Sequence, residues 1–307
     1  MSVDYQEWPP GAALSGVVLA FWRVVGHGSG VPSPTILPDA YVEIVLNLGE
    51  PVALAGPSFT GNQPTRAVVG LLDRAIEIRY GSNVCMFGIR LSSACAATFL
   101  GVHPRVLVNS VQPLRQLSRT LDDRLERVLE TDPRLESKET CAGLETALVD
   151  HLARSQRPDQ LIVDAVDRLI GSDVPLTVSA LAAELATSPR HLHRRFLVLV
   201  GVSPKRLERL ARFARAWRQA TWGPPLTWAD LALANGYADQ SHLVREFRRF
   251  GANPPAHLFT DEWYGMTTVT RPEGLPGDVR SVQELRKGPR HDGRIEPANR
   301  RRPKKEG

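Results

Sequence analysis

TVSALAAELATSPRHLHRRFLVLVGVSP (177–204) and TWADLALANGYADQSHLVREFRRFGANP (227–254) are two versions of one pattern about fifty residues apart. Leu181-Ala182 recurs as Leu231-Ala232, and Leu192, Arg194 and Phe196 recur as Leu243, Arg245 and Phe247. Gly201-Val202-Ser203-Pro204 reads against Gly251-Ala252-Asn253-Pro254. Such self-similarity predicts a repeated supersecondary unit. In the first copy Val178, Leu181, Ala182 and Leu185 give a short helix one apolar face. Ser188 then caps a second helix with Pro189 at its first position, where a missing N–H does no harm. Leu192, Phe196 and Leu199 point inward, leaving Arg190, His193, Arg194 and Leu197 outside. The second copy divides likewise: Leu243, Phe247 and Phe250 inside, Gln240, Ser241, Val244, Arg245 and Arg248 outside.

A helix face carrying Arg, Gln, His and Ser suits major-groove reading, because Arg grips guanine edges and Gln grips adenine in bidentate fashion. One such face is equally a solvated surface; two, each after a matching turn, favour the groove. With Leu231-Ala232, Gly236-Tyr237, Asp239-Gln240-Ser241-His242-Leu243-Val244-Arg245-Glu246-Phe247, Gly251 and Pro254, the stretch from about 159 to 258 resembles the DNA-binding domain of the AraC/XylS family of bacterial transcription regulators. The resemblance implies two helix-turn-helix units joined by a long helix, both recognition helices facing the same side of double-stranded DNA. It also implies RNA polymerase as a partner. The first turn departs from the family pattern, with Ala186-Thr187 where glycine and a large apolar residue are usual. A positive φ at Ala186 would cost roughly 1 kcal/mol relative to glycine and loosen the first unit.

At 307 residues the chain has room for two ordinary domains. Its net charge of +5 is unevenly spread: −3 over 1–160, +5 over 161–260 and +3 over 261–307. The basic excess thus sits where a polyanion is expected. Cys85, Cys95 and Cys141 form no CxxC pair and read as inert thiols of a reducing compartment. MSVDYQEWPPG lacks the basic-then-apolar pattern of a signal peptide, and no apolar run approaches the roughly 18–20 residues that span a bilayer. A cytoplasmic protein without membrane contact is expected.

Residues 14–91 read as β-rich, with strands expected at 16–25, 41–49, 67–72, 75–80 and 84–91 between Gly, Pro, Asn and Asp. LPDAYVEIVLNLG, GPSFTG and MFGIRLSSACAATFLG resemble, more loosely, the cupin-like sensor portion ahead of some AraC-family domains, over about 8–117. A small barrel or sandwich could enclose a small-molecule effector, lined from among Trp22, Tyr41, Glu43, Asn47, Arg79 and Arg90, with Trp22, Tyr41, Glu43 and Arg90 foremost. Asp39 reads as a turn residue. No histidines show metal-ligand spacing, and no metal or other cofactor is expected.

From Pro113, leucines near a 3.5-residue period predict a helix, and a second spans about 136–153; the hairpin packs on its own domain or forms a homodimer. The expected organisation is α+β: a cupin-like β-barrel or sandwich (1–112), a helical hairpin (113–153), a linker (154–158), an all-α double helix-turn-helix domain (159–260) and a disordered basic tail (265–307). In the long helix Leu207, Leu210, Ala211, Ala214 and Trp217 form the apolar side, while Lys205, Arg206, Arg209 and Arg212 read as solvated. Arg190, His193, Arg194, Gln240, Ser241 and Arg245 are the expected base contacts, Arg195 and Arg248 the phosphate contacts. The favoured function is sequence-specific transcription regulation, with no catalytic residues. The rivals are a cupin-like enzyme, or a protein-interaction domain, fused to a DNA-binding domain.

Overall fold

The alternating apolar runs of the amino-terminal part fold into strands β1 (Val3–Trp8), β2 (Val18–His27), β3 (Thr35–Ile36), β4 (Val42–Asn47), β5 (Ala53–Ala55), β6 (Thr60–Asn62), β7 (Arg66–Val69), β8 (Ile76–Arg79), β9 (Asn83–Leu91) and β10 (Val111–Pro113). The structure is a computed structural model that describes residues 3–28, 35–57, 59–135, 138–222 and 226–254, with the backbone of two dipeptides beyond. Those dipeptides, β11 (Gly265–Met266) and β12 (Arg280–Ser281), pair with β3 and β1. Apart from these four residues, the tail expected to be disordered (265–307) lies outside the described residues.

The strands form two sheets, ordered β10-β7-β4-β9-β2-β1-β12 and β11-β3-β8-β5-β6. All six residues of β4 are buried, and the side-chain period of two explains how. Val42, Ile44 and Leu46 belong to a core shared with helices, whereas Val45 joins Trp22, Leu54, Ile76 and Ile78 between the sheets. The five expected strands are present as β2, β4, β7, β8 and β9. Charged β1 was not expected; it pairs with β2 from Val3↔Gly26 to Trp8↔Phe21.

Helices α1 (Ala96–Leu100), α2 (Leu114–Leu117), α3 (Arg119–Thr131) and α4 (Lys138–Leu152) cover the other face of the larger sheet. The single helix expected from Pro113 is broken at Ser118, whose φ of −147° and ψ of 89° separate α2 from α3. Leu121, Leu125, Leu144 and Leu148 are buried in the sheet-and-helix core, so the hairpin packs on its own sheet.

The chain then crosses to α5 (Gln160–Gly171), α6 (Val178–Glu184), α7 (Pro189–Leu199), α8 (Pro204–Trp222), α9 (Trp228–Ala234) and α10 (Gln240–Gly251). Side chains cap all six starts: Asp159, Thr177, Ser188, Ser203, Thr227 and Asp239 accept from Ile162, Ala180, His191, Arg206, Asp230 and His242 N–H. Both turns close alike. Thr187 N–H reaches Ala182 O and Ala186 N–H reaches Ala183 O; Tyr237 and Gly236 repeat this on Ala232 and Leu233. The residue that must go left-handed is Ala186 (φ 49°) in one copy and Gly236 (φ 72°) in the other.

At the far ends the letter alignment misleads. Gly201 is left-handed (φ 82°) after α7, but Gly251 is still helical and the left-handed position falls on Ala252 (φ 63°). The copies differ by one residue from the turn onward. Ala186→Gly should relieve the clash of Cβ with the backbone, partly offset by a floppier unfolded chain. A net gain of roughly 0.5–1 kcal/mol, about 1–3 °C in Tm, is expected on thermal denaturation, and Ala186→Val should lower Tm.

Candidate nucleic-acid interface

Capping and burial leave each second helix one free polar face. On α10, Leu243, Glu246, Phe247 and Phe250 are buried, while Gln240, Ser241, Arg245 and Arg248 are exposed and Val244 is half-buried. On α7, Leu192 and Phe196 are buried, and Arg190, His193 and Arg194 are exposed. All six expected base-contacting side chains are therefore solvent-facing. Arg248 is exposed as well, but Arg195 is taken up by an ion pair with Asp159, the cap of α5. As a phosphate contact it would have to share that carboxylate. A cleft of about 420 Å³ runs beside α10, bounded by Arg209, His242, Arg245, Glu246 and Arg249.

Between the two readers, α8 is enclosed along its middle from Leu210 to Trp217, including Phe213 and Ala216. The expectation that its arginines are solvated is corrected. Arg209 Nε lies 2.6 Å from Glu246 Oε1 and Arg212 3.1 Å from Glu246 Oε2, so one buried carboxylate on α10 is held by two guanidinium groups of the strut. Arg212 also stacks over the Tyr237 ring at 4.7 Å. Burial opposes its charge, but Glu246 and Glu208 outweigh this and raise its pKa above the ordinary arginine value. Arg215 donates to Asn235 Oδ1 at 3.0 Å and to the Ser172 and Val174 carbonyls, tying α8 to the loops before α6 and after α9. Arg206 pairs with Asp73 of the amino-terminal part at 2.6 Å.

The expected effector-pocket residues are neighbours, but they satisfy one another. Glu43 and Arg90 are register partners on β4 and β9. Glu43 accepts from Trp22 Nε1 and Arg90 Nε, both at 2.9 Å; Arg90 also pairs with Glu7 at 3.2 Å and stacks over Tyr41 at 5.6 Å. Burial raises the Glu43 pKa against the pull of Arg90, while Glu43 and Glu7 keep the fully buried Arg90 charged. Asn47 instead closes a turn, bonding Glu50 O and Gly49 N–H, and Arg79 is exposed. Asp39 is more than a turn residue. Its Oδ1 accepts Tyr41 N–H, whereas its Oδ2 is buried without a hydrogen-bond partner. Beside it lies a void of about 10 Å³ shared with Tyr41, Ile170, Ala211, Ala214 and Arg218. That is about one water's room. Elsewhere, Asp122, Asp123 and Glu126 converge on α3, where Arg66 and Arg115 compensate their charge.

Two capped helix pairs with polar outer faces, locked to a buried strut, define a double helix-turn-helix domain. Residues 181–261 match the family described as "Helix-turn-helix domain", and residues 6–113 one described as a "Domain of unknown function (DUF6597)". The helix-turn-helix match lies wholly in the carboxy-terminal part of the chain. "Regulatory protein ada" of Salmonella typhimurium is 30% identical over 141 residues, 41% of this chain and 40% of that protein. The "Bifunctional transcriptional activator/DNA repair enzyme Ada" of Escherichia coli K12 is 34% identical over 79 residues, 26% of this chain and 22% of that one. The chain thus spans 40% or less of these curated relatives. ToxT from Vibrio cholerae superposes over 83% of this chain and 97% of its own, at 11% identity and a TM-score of 0.43. The AraC-like transcriptional activator CuxR does so over 70% and 87%, at 13% identity and 0.26.

Burial pushes the Asp39 carboxyl from 3.8 to about 7, with Arg90 pulling it down and Glu43 pushing it up. Folding therefore favours its protonated form. That stability is fully present below about pH 4 and is lost as pH rises through about 7. Asp39→Asn should match the parent's Tm near pH 4 and exceed it at pH 8, since each pH unit in the window costs about 1.4 kcal/mol for one group. Identical pH profiles for the two proteins would contradict this.

Proposed function

We propose that the protein is a sequence-specific DNA-binding transcription regulator. The observation that carries this is the pair of exposed polar faces on α7 and α10, each backed by a closed apolar face and tied to one strut. Arg190, Arg194 and Arg245 are suited to guanine edges, Gln240 to adenine, and His193 and Ser241 to either kind of acceptor. Half-buried Val244 offers an apolar contact for a thymine methyl. Arg248 and the capped helix starts are the proposed phosphate contacts, which would fix register without reading sequence.

Regulation without catalysis is the reading supported by the cysteines, although one relative's name includes DNA repair. Group transfer to a thiol needs an accessible, acidified cysteine. Here Cys85 and Cys95 are buried, and burial pushes the Cys95 thiol up to about 11 and raises Cys141 as well. Duplex DNA is the proposed main partner, with RNA polymerase as the downstream one and the cytoplasm as the place of action; no described helix is long and apolar enough to cross a membrane. The amino-terminal sheets are proposed to sense a small molecule or to dimerise. An effector entering at Trp22, Tyr41, Glu43 and Arg90 would have to replace the bonds these residues make to each other.

Selection of binding sites from random duplexes, followed by affinity measurements on single-base variants, tests the proposal. Arg245→Ala should cost roughly 1–3 kcal/mol on the selected site and relax preference at one base position. Arg248→Ala should weaken all sequences alike and reduce the salt slope by about one. Failure to enrich any sequence would remove the assignment.

A further inference from the structure

Both recognition helices end against the same patch of the amino-terminal part. At the end of α10, the Phe250 carbonyl accepts Ala75 N–H at 2.8 Å. This satisfies one of the carbonyls that a helix end leaves without an internal partner. At the end of α7, Gly201 lies so close to the 104–108 turn that a Cβ there would sit 2.8 Å from Pro104 O and 3.0 Å from Val108 Cγ2. At the start of α8, Arg206 meets Asp73, whose side chain is only 15% exposed.

The two loops making these contacts are bonded to each other. Asp73 N–H donates to Asn109 Oδ1 at 2.9 Å, Asn109 N–H donates to Leu71 O at 2.9 Å, and Leu71 bridges Val108 in parallel. Asn109 holds a left-handed φ of 52°, which asparagine tolerates better than most residues. Residues 71–75 and 104–109 therefore form one platform with three attachment points on the DNA-binding domain.

We propose that this platform is a second brace, parallel in effect to α8, and that it sets the spacing at which the two helices read DNA; Asp73, through Arg206, is a positioning residue for that spacing. The inference rests on the DNA-binding function proposed above. Its physical basis is that the platform meets the carboxy-terminal ends of both α7 and α10 and the start of α8 between them, so it ties the two helices together by a route additional to the side chains of α8. One inserted base pair displaces the second groove segment by about 3.4 Å and rotates it by about 35°. A doubly braced pair of readers cannot follow that displacement, whereas a singly braced pair adapts in part.

The test uses the full chain, a duplex obtained by site selection, and versions of it with one or two base pairs inserted or removed between the two protected segments. The variants are Asp73→Asn, Arg206→Gln and the two combined, with thermal melting of each to establish that it folds. The parent should lose about tenfold or more in affinity on a one-base-pair change, and each variant should show a flatter spacing profile. The double variant should be no flatter than either single one, because both remove the same contact. Folded variants that keep the parent's spacing profile, or lose affinity equally at every spacing, would overturn the brace. Absence of any selected sequence for the parent would instead sink the DNA-binding assignment itself. Arg206→Gln keeps the test open should Asp73→Asn fail to fold, since it alters the partly exposed end of the pair.

Discussion

The Glu246 carboxylate, beside the packing of Phe247 and Phe250 on Phe213, ties α10 to the strut α8. It is buried between Arg209 and Arg212, one turn apart on α8, and so fixes both the axial position and the roll of α10. Removing one partner of a buried ion pair leaves the other charge uncompensated, which costs more than the pair contributes when intact. The outward face of α10 depends on this arrangement. With Glu246 turned inward, the apolar Leu243, Phe247 and Phe250 must follow it, and Gln240, Ser241 and Arg245 are left outside. The face left to solvent is set by what the helix hides.

The amino-terminal part solves a related problem in another way. Arg90 is fully buried between sheets, and Glu43, Glu7, Trp22 and Tyr41 close around it. Such a network fixes strand register, because a slip of one residue would carry the charged side chains to the opposite face. Asp39 stands at its margin, with one oxygen left unpaired toward α5 and α8.

Much of the helical domain was legible because its signals are local. Ser188 and Thr227 announce helix starts, Pro189 marks a first turn, and the period of the leucines gives the inner face. Left-handed Ala186 could be anticipated from the family pattern alone. What sequence could not supply was long-range pairing. Arg206, Arg209 and Arg212 look like a solvated stripe because their partners, Asp73 and Glu246, are over thirty residues away or more in the chain. Likewise Trp22, Tyr41, Glu43 and Arg90 share a locus, but packing decides whether such a group lines a void or fills one. Strand β1 escaped notice because Asp4 and Glu7 disguise its alternation, and Glu7 owes its place to Arg90. The one-residue offset that puts Ala252 where Gly251 was aligned shows identical letters serving different backbone positions.

Buried apolar side chains run without a break from Leu14 and Phe21, through Leu121 and Leu148, to Leu207 and Phe250. A continuous interior of this kind joins the two parts through shared packing at residues 71–75 and 104–109. A molecule that bound only the folded sheets would stabilise whatever unfolds together with them.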